Sequence, residues 1–199
     1  PHPIARTADR TRPSLLTWGL ISPGKGLEWS IRAVAELAAS GTLVDYVIAG
    51  QTHPKLVAQD GEAYREALMA LVDRLGVGDQ VTFVDRYLTP AALDALIGGA
   101  DVVVLPYESA DQATSGVLAE AVAARVPVVA TGFPHAVELL AGGAGIVVAH
   151  RDPSAIADAV TRMLRSSALP APGSDATSWD HVGQAYLNLV GGLLAERAA

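Results

Sequence analysis

Six short aliphatic runs, each followed by a polar turn and most by a helix-patterned segment, restrict this chain to one kind of architecture. They lie at residues 14–19 (S-L-L-T-W-G), 43–49, 81–84, 101–105 (D-V-V-V-L), 126–131 (V-P-V-V-A-T) and 145–148. Most are continuous in Val, Ile, Leu and Ala rather than alternating with polar residues, so both faces of each strand are withdrawn from water. Buried strands alternating with helices predict a parallel sheet joined by right-handed crossovers. The expected fold class is α/β: a doubly wound, mostly parallel six-stranded sheet with helices on both faces.

The helices are read from their spacing. One begins near Leu27, with Leu27, Ile31, Val34 and Ala38 on a face. A second, over 61–75, carries Tyr64, Leu68, Leu71, Val72 and Leu75, and Gly76 stops it. Thr89-Pro90 and Asp152-Pro153 are caps followed by Pro at the first helical position. They predict a helix to about residue 97 and one carrying Ile156, Val160, Met163 and Leu164. Residues 136–140 read as a short helix. A last helix, over 178–197, shows Trp179, Val182, Tyr186, Leu189 and Leu193 as its buried stripe. Residues 1–13 read as a linker or tail and 14–199 as one domain. The P-H-P-I opening, without Met, is expected to be the start of a fragment.

Half of the residues are hydrophobic and 18% are charged, a globular composition. The formal charge of −7 argues against broad binding of nucleic acid or anionic membrane, which needs a basic surface. Cysteine is absent, so no disulfide or thiolate metal site exists. With no leader and no membrane-length apolar run, a cytoplasmic location is expected.

In sheets of this kind, ligands bind beyond the carboxyl ends of the strands. Lys25 falls in the first such loop between Gly24 and Gly26, where the backbone can approach a ligand and the ammonium can meet a phosphate. The plain alternative is a solvated lysine in a turn. Thr114-Ser115-Gly116 opens a helix directly after a strand and loop, which leaves free N–H groups for an anion. Its alternative is a serine cap with a glycine needed for packing. Glu120, one turn further, lies among Val117, Leu118, Ala121 and Val122, so it either points to solvent or is held for a ligand such as a sugar diol. His53, His135, His150 and His181 have no metal-ligand spacing, and no metal is expected. Neither a P-loop, a G-x-G-x-x-G fingerprint nor a G-x-S-x-G elbow is present.

Together these segments resemble the C-terminal, donor-binding domain of GT-B-type retaining glycosyltransferases of the bacterial group 1 family. G-L-I-S-P-G-K-G resembles the family's diphosphate loop, D-V-V-V-L-P-Y-E-S-A-D-Q-A-T-S-G-V-L-A-E its signature strand–loop–helix, and F-P-H-A-V-E-L-L-A-G-G-A-G the loop that follows. S-W-D-H-V-G-Q-A-Y-L is similar to its closing helix. The resemblance implies a Rossmann-like half of a GT-B fold that binds a nucleotide-diphosphate sugar as substrate, with no further cofactor.

By the same resemblance Lys25 holds the diphosphate, Ser115 and Gly116 offer backbone N–H groups, and Glu120 binds ribose hydroxyls. Arg86 and Tyr87 lie beside the nucleobase. It implies too that an N-terminal acceptor domain is missing here, that the fragment alone is inactive, and that any peripheral membrane contact belongs to that half. Two positions depart from the pattern. Leu20 stands where an Arg is expected, and Gln112 replaces the first Glu of the Glu-x7-Glu pair, with Asp111 beside it as a substitute. A D-Q-x-T-S-G version also occurs in a bacterial subset of the family. The rival expectations are a GT-B-like sugar-nucleotide epimerase half and a non-catalytic α/β interaction module.

Overall fold

The computed structural model describes residues 11–165 and, beyond them, 183, 184, 186–188 and 190. Six strands are found where the aliphatic runs predict them: β1 (Ser14–Trp18), β2 (Asp45–Ala49), β3 (Val81–Val84), β4 (Val102–Leu105), β5 (Val128–Thr131) and β6 (Gly145–Val148). They form one sheet in the order β3-β2-β1-β4-β5-β6, and every pairing is parallel. Within residues 11–165, seven helices connect and flank them: α1 (Leu27–Ala39), α2 (Pro54–Asp60), α3 (Ala63–Leu75), α4 (Pro90–Gly99), α5 (Gly116–Ala123), α6 (Pro134–Leu140) and α7 (Pro153–Arg165).

The two-sided burial predicted from the continuous runs follows from the pleat, because successive side chains point to opposite faces. In β4, Val102 and Val104 join one core, which also holds Ile31, Leu68 and Val160 of α1, α3 and α7. Val103 and Leu105 join the other, with Leu96, Leu118 and Ala136 of α4, α5 and α6. Each face of a strand therefore meets its own helix layer. A polar residue here needs a partner inside. Thr17 of β1 has one, lying 2.8 Å from the Tyr46 hydroxyl, which is also 2.8 Å from Ser30 of α1.

The chain order reverses between β1 and β4, and there the ladder is short. Leu15 and Leu16 pair with Val102 and Val103, and pairing stops, although β1 runs on to Trp18 and β4 to Leu105. Between β1 and β2 the pairing continues to Trp18 and Ala49. Beyond Leu16 the Thr17 hydroxyl bonds the Val104 carbonyl in place of a ladder bond. A crevice at such a switch point is the usual ligand position in this architecture.

Three expectations need correction. The polar Q-T-H-P-K segment leads into a helix, α2, that the apolar pattern does not reveal, since none of its residues is buried. His53 caps it, with its Nδ1 accepting from the Lys55 N–H at 3.2 Å, and Pro54 follows at the first position. Gly61 ends α2 at φ 62° instead of opening the next helix, so α3 begins at Ala63. In the last predicted helix, Tyr186 is 66% exposed and is no part of a buried stripe. It meets solvent because nothing described packs over that face; Trp179, Val182, Leu189 and Leu193 lie outside the described residues.

Candidate functional site

The crevice is built from the turn after β1, the loop after β4 and the start of α6 after β5. Thr17, Trp18, Gly19, Lys25, Ala49 and Tyr107 line a pocket at its base. The first turn is held close against the β4 loop. Gly26 adopts φ 66°, and a Cβ on it would lie 1.8 Å from the Pro106 carbonyl oxygen. Two residues back, the Gly24 carbonyl accepts from the Glu108 N–H at 2.9 Å. Glycine at 26 is therefore demanded twice, by dihedral and by close approach.

Lys25, between them, sits with its Nζ 4.1 Å from the centroid of the Tyr107 ring. Burial pushes its ammonium pKa down. No carboxylate pairs with it among the described residues. Tyr107 is itself buried and stacked on Phe133, with ring centroids 5.3 Å apart.

Across the crevice α5 starts as the T-S-G corner predicts. Ser115 is the cap, its Oγ accepting from the Leu118 N–H at 3.2 Å. Its own N–H is not free, however, since it donates to His135 Nδ1 at 2.9 Å. That corrects the expectation that Ser115 offers its amide to an anion. The imidazole, on the first turn of α6, takes that role inside the protein. The Gly116 and Val117 N–H groups have no partner among the described residues. A Cβ on Gly116 would meet no atom within 4 Å, and its φ is not left-handed, so neither packing nor backbone strain explains a glycine there. Glu120, one turn on, is exposed, and its Oε2 accepts from the Trp18 indole N–H at 3.1 Å. The two readings of Glu120 thus merge: it faces solvent, and one oxygen is already oriented by a buried ring.

The remaining predicted residues are less tightly gathered. Gln112 donates to the Thr114 carbonyl at 3.0 Å and so braces its own loop, with Asp111 exposed beside it. Arg86 and Tyr87 are exposed beyond the edge strand β3, two strands from β1, or about 10 Å away at ordinary strand spacing. Leu20 is exposed at the mouth. His53 is a helix cap and His150 lies 2.8 Å from the Tyr107 carbonyl through Nδ1, so neither is turned to a ligand. Three residues that matter to the geometry, Trp18, Tyr107 and His135, do not stand out by periodicity. Trp18 closes β1, and Tyr107 and His135 follow the ends of β4 and β5; of the three, only His135 is singled out in the sequence.

A six-stranded all-parallel sheet in this order, with a helix start and a lysine beside its switch point, defines a Rossmann-like α/β type of domain. Comparison with known proteins is specific. The family described as glycosyl transferases group 1 matches residues 12–166, and the chain belongs to it. An alpha-D-kanosaminyltransferase of Streptomyces kanamyceticus is 34% identical over 154 residues, covering 77% of this chain and 36% of that protein. Among solved structures, HepE of Anabaena in complex with UDP aligns with a TM-score of 0.77 at 18% identity, over 91% of this chain and 49% of that one. Sucrose-phosphate synthase of Thermosynechococcus elongatus aligns with a TM-score of 0.73 at 23% identity, over 94% and 46%. The chain thus spans about a third of the curated relative and under half of these structures.

Proposed function

We propose that this chain is the donor-binding half of a retaining glycosyltransferase, which holds a nucleotide-diphosphate sugar in the β1/β4 crevice while another domain presents the acceptor. The observation that carries the reading is the pairing of unsatisfied charges and dipoles. Among the described residues, two N–H groups at the start of α5 have no partner and lie across the crevice from a lysine that no carboxylate pairs with. A diphosphate satisfies both, because helix N-termini and ammonium groups favour anions. Glu120 then accepts from ribose hydroxyls, and Arg86 and Tyr87 lie on the nucleobase side. The family membership and the UDP held by Anabaena HepE support the same reading.

The chemistry asked of this half is leaving-group stabilisation. As the bond from sugar to phosphate breaks, negative charge grows on the diphosphate, and fixed donors aimed at it lower the barrier. On this reading Lys25 and the Gly116 and Val117 N–H groups do that work, and it calls for no metal. The reading puts the protein in the cytoplasm of a bacterium, where nucleotide sugars are made.

Calorimetric titration of the chain with UDP, GDP and UDP-glucose tests this. Binding by at least one is expected, with Lys25→Ala and Glu120→Ala each weakening it about 10- to 100-fold, the range for hydrogen bonds involving a charged group. No binding of any of the three at millimolar concentration would refute the proposal.

A further inference from the structure

The contact between Lys25 and Tyr107 calls for its own explanation. A half-buried ammonium loses hydration and needs compensation. Most such lysines find a carboxylate. One stands beside Tyr107, Glu108, but it is engaged elsewhere: its Oε1 accepts from the Trp29 indole N–H at 2.9 Å and from Arg151 Nε at 2.9 Å. The Trp29 bond first, and Arg151 after it, hold the Glu108 carboxyl below its ordinary pKa, so it stays an anion engaged elsewhere.

We propose that Tyr107 is the positioning residue for Lys25, its ring face holding the ammonium at the crevice before any ligand arrives. This rests on the donor-binding reading above. The chemical logic lies in what an arene supplies. Its quadrupole stabilises a cation at the ring face but carries no net charge. Lys25 keeps its whole positive charge for an incoming diphosphate, whereas a carboxylate would cancel it and compete with the ligand.

The backbone enforces the pairing. The Gly24 carbonyl bonds the Glu108 N–H, and Gly26 presses on the Pro106 carbonyl, so residue 25 is set opposite residue 107. Tyr107 cannot move aside. Its ring is stacked on buried Phe133, and its carbonyl accepts from Thr131 Oγ1 at 2.6 Å.

The test is a double-mutant cycle with Tyr107→Leu and Lys25→Ala, read by calorimetric titration with UDP and GDP. Tyr107→Leu is expected to weaken diphosphate binding about 5- to 30-fold, as loss of one desolvated cation–π contact implies. Tyr107→Phe, which keeps the ring, restores it. In the Lys25→Ala background Tyr107→Leu costs nothing more, a result that a general packing role would not produce. Wild-type affinity in Tyr107→Leu, or an equal loss in both backgrounds, overturns the inference.

A ligand-free readout separates it from the donor-binding proposal. The Lys25 Cε protons should show an upfield ring-current shift in NMR spectra, lost in Tyr107→Leu and kept in Tyr107→Phe. Absence of that shift in the wild-type chain refutes the contact whatever the nucleotide titrations give. If Tyr107→Leu does not fold, a fluorinated tyrosine at 107 keeps the shape and weakens the ring face. A graded loss of affinity is then expected, and unchanged affinity counts against the proposal.

Discussion

At the scale of single residues, Gly116 is the most informative position. Alanine in a helix is more favourable than glycine by about 1 kcal/mol, and nothing within 4 Å would oppose the added methyl. Gly116→Ala is therefore expected to leave the melting temperature unchanged or raise it. A helical Cβ leans toward the N-terminus, so the same methyl would crowd an anion over the α5 start. Nucleoside diphosphate affinity should fall while stability does not; unchanged affinity in calorimetric titration would remove Gly116 from the site. The corner itself is legible in T-S-G, because a cap followed by a small residue after a strand has one usual meaning. The occupant of the Ser115 amide is not legible. His135 lies 20 residues away, and nothing in F-P-H-A-V says that its ring turns to that N–H.

At the scale of elements, the turn between β1 and α1 depends on two glycines that do different work. Both have positive φ, but only Gly26 faces a backbone atom; Gly24 faces open space. Gly24→Ala is expected to cost about 1–2 kcal/mol, the left-handed penalty alone. Gly26→Ala adds a clash with the Pro106 carbonyl and should cost clearly more, lowering the melting temperature by a further several degrees in a thermal scan. Equal effects would mean that the two loops are not packed as described. The strands were readable because doubly buried runs are nearly pure aliphatic. α2 was not, because its residues are all partly or fully exposed and no apolar stripe records it. Its signal is chemical, a His cap and a proline, and histidine is a less common cap than Ser, Thr, Asp or Asn.

At the scale of the whole molecule, buried phenols are expected to set the alkaline limit of stability. Burial raises the Tyr46 hydroxyl from 10.0 to about 12, and burial also raises Tyr64 and Tyr107. A folded pKa above the unfolded one gives stability that is complete below pH 10.0 and is lost as pH climbs through about 12. For Tyr46 that is about 2–3 kcal/mol. Tyr46→Phe should cost about 1 kcal/mol at neutral pH through its lost hydrogen bonds, yet flatten the decline measured by denaturant unfolding between pH 10 and 12. An unflattened decline would assign the alkaline limit to other groups. The sheet's strand order was outside the reach of periodicity, since a helix crossover can land on either side of its strand. The short β1–β4 ladder gives that order a further meaning. Strands β1–β3 and β4–β6 are two consecutive stretches of chain, joined by a brief β1–β4 ladder, by α1 packed on α7 at one face, and by loop and side-chain contacts such as Gly24 with Glu108 and Trp18 with Glu120 at the crevice. A ligand lying there touches both stretches at once. It becomes a further fastening between them, present only when both are folded, and it ties the integrity of the domain to the supply of what it binds.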